Sequence, residues 1–251
     1  MDKITVTSVQ PKLTWHQPEL NVEHCHHLIA QSSKTDIIVL PEMWTTGFTM
    51  KAHLFKEKTS LGINAMKKWS VEKSALVIGS LIVNENGHYY NRSYAIADGE
   101  IIATYDKRHL FTYAGEDRYF TKGHNKGIFE YKGWKISINI CYDLRFPIWS
   151  RNKTNYDLLI YSANWPDKRI EAWKTLLKAR AIENQSFVIG SNCIGEDAWH
   201  NTYQGWSTIH DFTGKTLESI NGAEGLINSD IIKSEQDAYR NELPFLKDII
   251  D

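Results

Sequence analysis

A thiol, a carboxylate and an ammonium occupy equivalent places in this sequence. Cys141 directly follows the run Lys135–Ile140, KISINI. Glu42 follows Asp36–Leu40, DIIVL, after a single proline, and Lys107 comes two residues after the run Glu100–Tyr105. A carboxylate beside a thiol can take its proton, and a thiolate is the competent nucleophile. An ammonium near an attacked carbonyl stabilises the oxyanion, as do the backbone N–H groups of the turn behind Cys141. Together the three groups suit acyl transfer through a thioester, with the carboxyl later activating water. Taken singly, each has a plainer explanation. Free cysteines are mostly small buried hydrophobes. Glu42 could cap a helix or form a surface pair, and Lys107 stands in the charged run DKRH, a type of run that is usually solvated. Their shared placement favours the joint reading, because α/β sheets bind ligands outside the carboxyl ends of strands.

The elements that must position these groups are legible as alternation and apolar runs. Ile136, Ile138 and Ile140 alternate with Lys135, Ser137 and Asn139, which predicts a strand. The run DIIVL lacks alternation, as expected of a strand buried on both faces. Further strands are predicted over Ile4–Val9, Ala75–Val83, Tyr89–Ala97, Glu100–Tyr105, Ile128–Tyr131, Asp157–Ser162, Phe187–Cys193, Gly205–His210, Thr216–Ile220 and Glu224–Ile232. Asp98-Gly99 is a strong hairpin signal, and Gly79 permits close backbone approach within its strand. Helical spacing predicts helices over Pro18–Gln31, Leu61–Lys73, Ile170–Asn184 and Ser234–Arg240. Phe111–Lys126 has no period and reads as a long loop, a kind of segment that is often functional. Strands alternating with helices, with hairpins between, predict one α/β domain over residues 1–251 around a mixed sheet or sheets.

Bulk properties exclude several classes. With 42% apolar and 24% charged residues the composition is that of an ordinary globular protein. A formal net charge of -1 gives no general attraction to nucleic acid or an anionic membrane. The longest apolar runs are strand-sized, far short of the roughly 20 residues of a membrane helix. The start MDKITVTSVQP lacks the pattern of a secretory signal. Three widely spaced cysteines, Cys25, Cys141 and Cys193, form no disulfide framework, so a cytoplasmic location is expected. His24-Cys25-His26-His27 resembles a metal cluster, but on a helix only His24 and His27 share a face. No metal or cofactor is expected, and no phosphate-binding glycine loop is present. Cys193 also ends a strand, but charged partners do not follow it as Asp143 and Arg145 follow Cys141, and it is expected in the core.

Three segments also carry a resemblance. IIVLPEMWTTGF (Ile37–Phe48), YDKRHLF (Tyr105–Phe111) and INICYDLRFP (Ile138–Pro147) are similar to the glutamate, lysine and cysteine segments of the nitrilase superfamily of carbon–nitrogen hydrolases. YNRSYAI (Tyr90–Ile96), KARAIENQSFV (Lys178–Val188) and Gly205-Trp206-Ser207 add to it, and the likeness runs from about Ile4 to Asp230. It implies a four-layer αββα sandwich, a Cys141-Glu42-Lys107 triad and a second glutamate at Glu116. It also implies an oxyanion donor at the Tyr142 N–H and a homodimer. Within the superfamily these segments are most similar to omega-amidases, which deamidate 2-oxoglutaramate and 2-oxosuccinamate. A basic group should then meet the substrate carboxylate. Arg145 is the candidate, with an ion pair to Asp143 the equal alternative. Trp44, Phe48 and Trp165 are expected to wall the pocket. Other readings are an N-carbamoyl or other aliphatic amide hydrolase, a nitrile hydrolase, and a non-catalytic binding protein with the same fold.

Overall fold

In the computed structural model, which describes residues 1–249, two mixed sheets lie face to face with helices outside both. The first half of the chain supplies β1 (Lys3–Gln10), α1 (Pro18–Ala30), β2 (Ile37–Val39), α2 (Thr59–Glu72), β3 (Leu76–Glu85), β4 (His88–Ala97) and β5 (Glu100–Asp106). The second half supplies β6 (Gly127–Tyr131), β7 (Trp134–Ile140), α3 (Pro147–Ser150), β8 (Leu158–Ser162), α4 (Ile170–Asn184) and β9 (Phe187–Ser191). It continues with β10 (Ile194–Glu196), β11 (Thr202–His210), β12 (Thr216–Asn221), β13 (Gly225–Ile232) and α5 (Lys233–Glu242). One sheet runs β13-β1-β2-β3-β4-β5; the other runs β10-β11-β9-β8-β7-β6, with β12 beside β11. The centres, β1-β2-β3 and β7-β8-β9, are parallel.

Side-chain alternation builds the layers. Val6, Ile37, Val39, Leu76 and Ile78 meet Ile136, Ile138, Ile140, Leu158, Ile160 and Ile189 between the sheets. The opposite faces of the same strands take the helices. Ile38, Leu40 and Val77 pack with Trp69, Met66 and Ile29 of α2 and α1. Leu159, Tyr161 and Val188 pack with Trp173, Leu177 and Ala181 of α4. This is the four-layer αββα sandwich, and it explains why DIIVL shows no alternation: both of its faces are covered. Predicted elements match the observed ones within a few residues. Two short elements have no counterpart in the predictions: α3, a single turn, and β10, which is three residues long and includes Gly195 at φ 129. The loop after Lys107 holds two single turns, Thr112–Ala114 and Glu116–Arg118. Phe120 ties it down by packing with Met43, Phe55 and Ile82.

Gly79 marks where β3 is approached most closely. A Cβ there would lie 2.8 Å from the Leu40 Cβ and 3.0 Å from the Trp44 ring. Gly79→Ala should therefore cost about 1–3 kcal/mol through overpacking. Urea unfolding checks this: the midpoint should fall while the slope stays that of the native chain.

Candidate active site

Glu42 and Lys107 are delivered by one sheet and Cys141 by the other. β2 ends with the Leu40 N–H bonded to the Ile78 carbonyl at 2.7 Å, and Pro41 carries the chain past the sheet edge. The turn after Glu42 is sharp, with Met43 at φ 41 and its N–H held by Ser80 Oγ at 2.9 Å. Lys107 extends the β4–β5 pairing by one bond, its N–H donating to the Asn91 carbonyl at 2.9 Å. Cys141 ends β7 at φ 43, a left-handed conformation rare for a side chain with a Cβ, and opens a short turn of helix, Cys141–Arg145. Asp143 secures that turn. Its Oδ2 accepts from the Ile140 N–H (3.0 Å) and the Tyr105 hydroxyl (2.8 Å), and its Oδ1 from the His109 N–H and ring. A single carboxylate thus couples the cysteine segment to the lysine segment.

The three side chains meet in a buried network. Lys107 Nζ donates to Glu42 Oε1 at 2.7 Å and to both oxygens of Glu116 at 3.0 and 2.9 Å. Asn91 Nδ2 bridges the two carboxylates, at 2.8 Å from Glu42 Oε1 and 3.4 Å from Glu116 Oε1. Glu116 Oε2 also accepts from the Phe111 N–H at 2.6 Å, which fixes the loop over the lysine. Glu42 Oε2 accepts from the Asn164 N–H at 3.0 Å, and the Glu42 carboxylate is a close electrostatic neighbour of the Cys141 thiol. Cys141 Sγ also approaches the Asn164 carbonyl at 3.8 Å.

Electrostatics follows from this packing. Burial alone would push the Lys107 ammonium down, but Glu116 and Glu42 outweigh it and hold the group above the ordinary lysine range. Burial raises the Glu116 carboxyl, and Glu42 adds to the rise against the pull of Lys107. Burial and then the Glu42 charge hold the Cys141 thiol well above the usual cysteine value, with Lys107 opposing. The resting sulfur is therefore a thiol beside a proton acceptor, rather than a free thiolate.

Glu42, Lys107 and Cys141 line a cavity of about 290 Å³. Phe48 and Trp165 are on its wall, together with Phe111, Tyr113, Trp199 and Arg169 among others. Glu116 is not on its wall; it lies behind Lys107 with its oxygens already engaged. The Tyr142 ring packs against Phe111 and Phe146, so any role at the site falls to its backbone N–H. Two expectations are corrected. Trp44 is fully buried against Trp69, where it fills the space between sheet and helices. Arg145 lies off the cavity wall: at the end of the helical turn it is exposed, its guanidinium 5.1 Å from the Trp165 ring. Nor does it pair with Asp143, whose oxygens are taken by the bonds above.

Sequence reasoning missed Asn91, Asn164 and Arg169. Asn164 carried a signal, since it follows β8 as Cys141 follows β7; Asn91 lies within β4 and carried none. Cys193 is buried as expected, yet its Sγ bonds Asn164 Oδ1 at 3.1 Å, one layer behind the site. Gly205-Trp206-Ser207 also supports this loop. The Asn192 N–H donates to Ser207 Oγ, and its side chain binds the Gly205 carbonyl and both backbone groups of Trp165.

Comparison with known proteins agrees with this geometry. The carbon–nitrogen hydrolase family model matches residues 5–241. An omega-amidase of Yersinia enterocolitica is 39% identical over 249 residues, covering 99% of this chain and 97% of its own. A 2-oxoglutaramate amidase of Bacillus subtilis is 38% identical over 255 residues, covering 98% of each. A CN-hydrolase superfamily protein of Xanthomonas campestris, solved with an arsenic adduct in its active site, superposes with a TM-score of 0.93 at 30% identity. That match covers 100% of this chain and 98% of the other. The chain belongs to the carbon–nitrogen hydrolase family of the nitrilase superfamily.

Proposed function

We propose that this protein is a cysteine-dependent omega-amidase. It hydrolyses the terminal carboxamide of small amido acids such as 2-oxoglutaramate and 2-oxosuccinamate to the acid and ammonia. The observation that carries the reading is the convergence of Glu42, Lys107 and Cys141 on the wall of one small cavity. The names of the full-length relatives supply the substrate class.

Glu42 accepts the Cys141 proton as the sulfur attacks the carboxamide carbon. The oxyanion is stabilised by the positive charge of the Lys107 ammonium and held by the Tyr142 N–H. Glu42 then gives its proton to the departing nitrogen, and ammonia leaves a thioester on Cys141. Water attacks that thioester while Glu42 takes its proton, and the returning sulfur is reprotonated as the acid is released. Glu116 acts through Lys107, fixing the ammonium and keeping it protonated. We read residues 1–251 as a single domain of a cytoplasmic homodimer. Three free cysteines fit a reducing compartment. Among the described residues no helix is long and apolar enough to cross a membrane. Ile148 of α3 and Ile182 of α4 are apolar and exposed, as a subunit contact requires.

Ammonia release from 2-oxoglutaramate tests the reaction. The native chain should release it and Cys141→Ala should fall to background; release by the variant, or none by the native chain, would refute the mechanism or the substrate class respectively. Glu42→Gln should lose about 10²–10⁴-fold in kcat. It should still alkylate at Cys141 with iodoacetamide, because Lys107 remains while the charge that raised the thiol is gone. A thiol that stopped alkylating would contradict this assignment of the proton.

Glu116→Gln keeps the shape but removes a charge that raises both Lys107 and Cys141. Its kcat should fall by up to about 10²-fold with KM little changed. The alkaline limb of the kcat profile should move to lower pH, since the lysine then releases its proton more readily. A purely structural Glu116 would lower activity without moving that limb.

A further inference from the structure

The charged groups on the cavity wall are not equally satisfied. Lys107 is neutralised by Glu42 and Glu116. Asp197 has both oxygens bonded: Oδ1 accepts from the N–H groups of Trp199 and Asn201, and Oδ2 from the Asn201 amide and the Tyr203 hydroxyl. Arg169 is different. The residue lines the cavity and its guanidinium lies 5.1 Å from the centre of the Phe111 ring, yet among the described residues it has no ion pair. Its backbone is nonetheless fixed, the carbonyl by Trp165 Nε1 at 2.8 Å and the N–H by the Pro166 carbonyl at 3.0 Å. A half-buried cation held over an aromatic face, with its fork of N–H donors unclaimed, is suited to a carboxylate.

We infer that Arg169 binds the carboxylate of the substrate and sets selectivity for acidic amides over neutral ones. The inference rests on the amidase reading and deepens it. The cavity then has a reacting end at Cys141 and an anion-binding end at Arg169, so an amido acid enters with its carboxamide towards the sulfur. Asp197 lines the same wall but makes no ion pair with Arg169; its oxygens are bonded to neutral donors. Arg145, the cation expected from sequence to do this work, lies outside the wall.

The test compares kcat/KM for 2-oxoglutaramate and for butyramide, a neutral amide of similar length. In Arg169→Ala the ratio of the two should fall by about 10–10²-fold, the range of a charge-assisted hydrogen bond, mostly through KM. Arg169→Lys should recover part of the ratio, because it keeps the charge but loses the fork. A second readout needs no turnover: 2-oxoglutarate should slow iodoacetamide alkylation of Cys141 in the native chain and not in Arg169→Ala. Equal loss on both amides, or equal protection of both proteins, would overturn the assignment. If the native chain hydrolysed neither amide, the amidase reading would fail while the protection assay still decided the role of Arg169.

Discussion

The structure depends on a lysine buried between two carboxylates. Lys107, Glu42 and Glu116 are 1%, 0% and 0% exposed, so all three charges have been taken out of water. Such a transfer costs several kcal/mol per ion and is offset only when geometry is good and the remaining hydrogen-bonding capacity is filled. Both conditions hold. Every carboxylate oxygen has a donor, and the Asn91 amide bridges the two acids that would otherwise repel across the lysine. One cation between two anions also leaves an excess of negative charge beside Cys141. That excess keeps the lysine protonated, and it adds to burial, the larger cause, in holding the sulfur as a thiol.

Holding the trio dictates much of the surrounding architecture. Its members come from the ends of β2 and β5 in one sheet and from a loop, while the sulfur ends β7 in the other. The sheets must therefore face each other with their strand ends aligned, which the interdigitated isoleucines and valines between them ensure. Two of the turns are strained, with Met43 at φ 41 and Cys141 at φ 43. Conformations of this kind cost on the order of 1–3 kcal/mol each and persist only where neighbours over-determine them. Here the neighbours are Ser80 on the first turn and Asp143 on the second.

Much of this was legible in the sequence because period and strand ends are local properties. The alternation of Ile136, Ile138 and Ile140 gave the strand, and the strand gave the position of Cys141. The lack of alternation in DIIVL gave burial on both faces, hence helices outside the sheet. The side chains that satisfy the buried charges were not legible. Asn91 lies in mid-strand and reads as any polar residue of β4, and only the folded register brings it beneath Glu42. Arg145 and Trp44 failed for the converse reason. Both stand close in sequence to a reacting residue, but each turn of the chain rotates successive side chains apart. Nearness along the chain therefore predicted nearness in space for the wrong residues.

The two ends of the cavity meet opposite physical demands. At the reacting end, charge develops and disappears within one catalytic cycle, so donors must already be in place and water must be kept out. Buried, fully bonded groups on strand ends meet that demand. At the other end, the substrate must enter and the acid must leave. That end is built from turns and loops, with Tyr113 and Trp199 exposed and Arg169 half-buried. A carboxylate of the protein on Arg169 would have made this end as complete as the first, and would have closed it to an acidic substrate. Among the described residues the guanidinium has no such partner, which leaves the charge of the ligand as the missing member of the site.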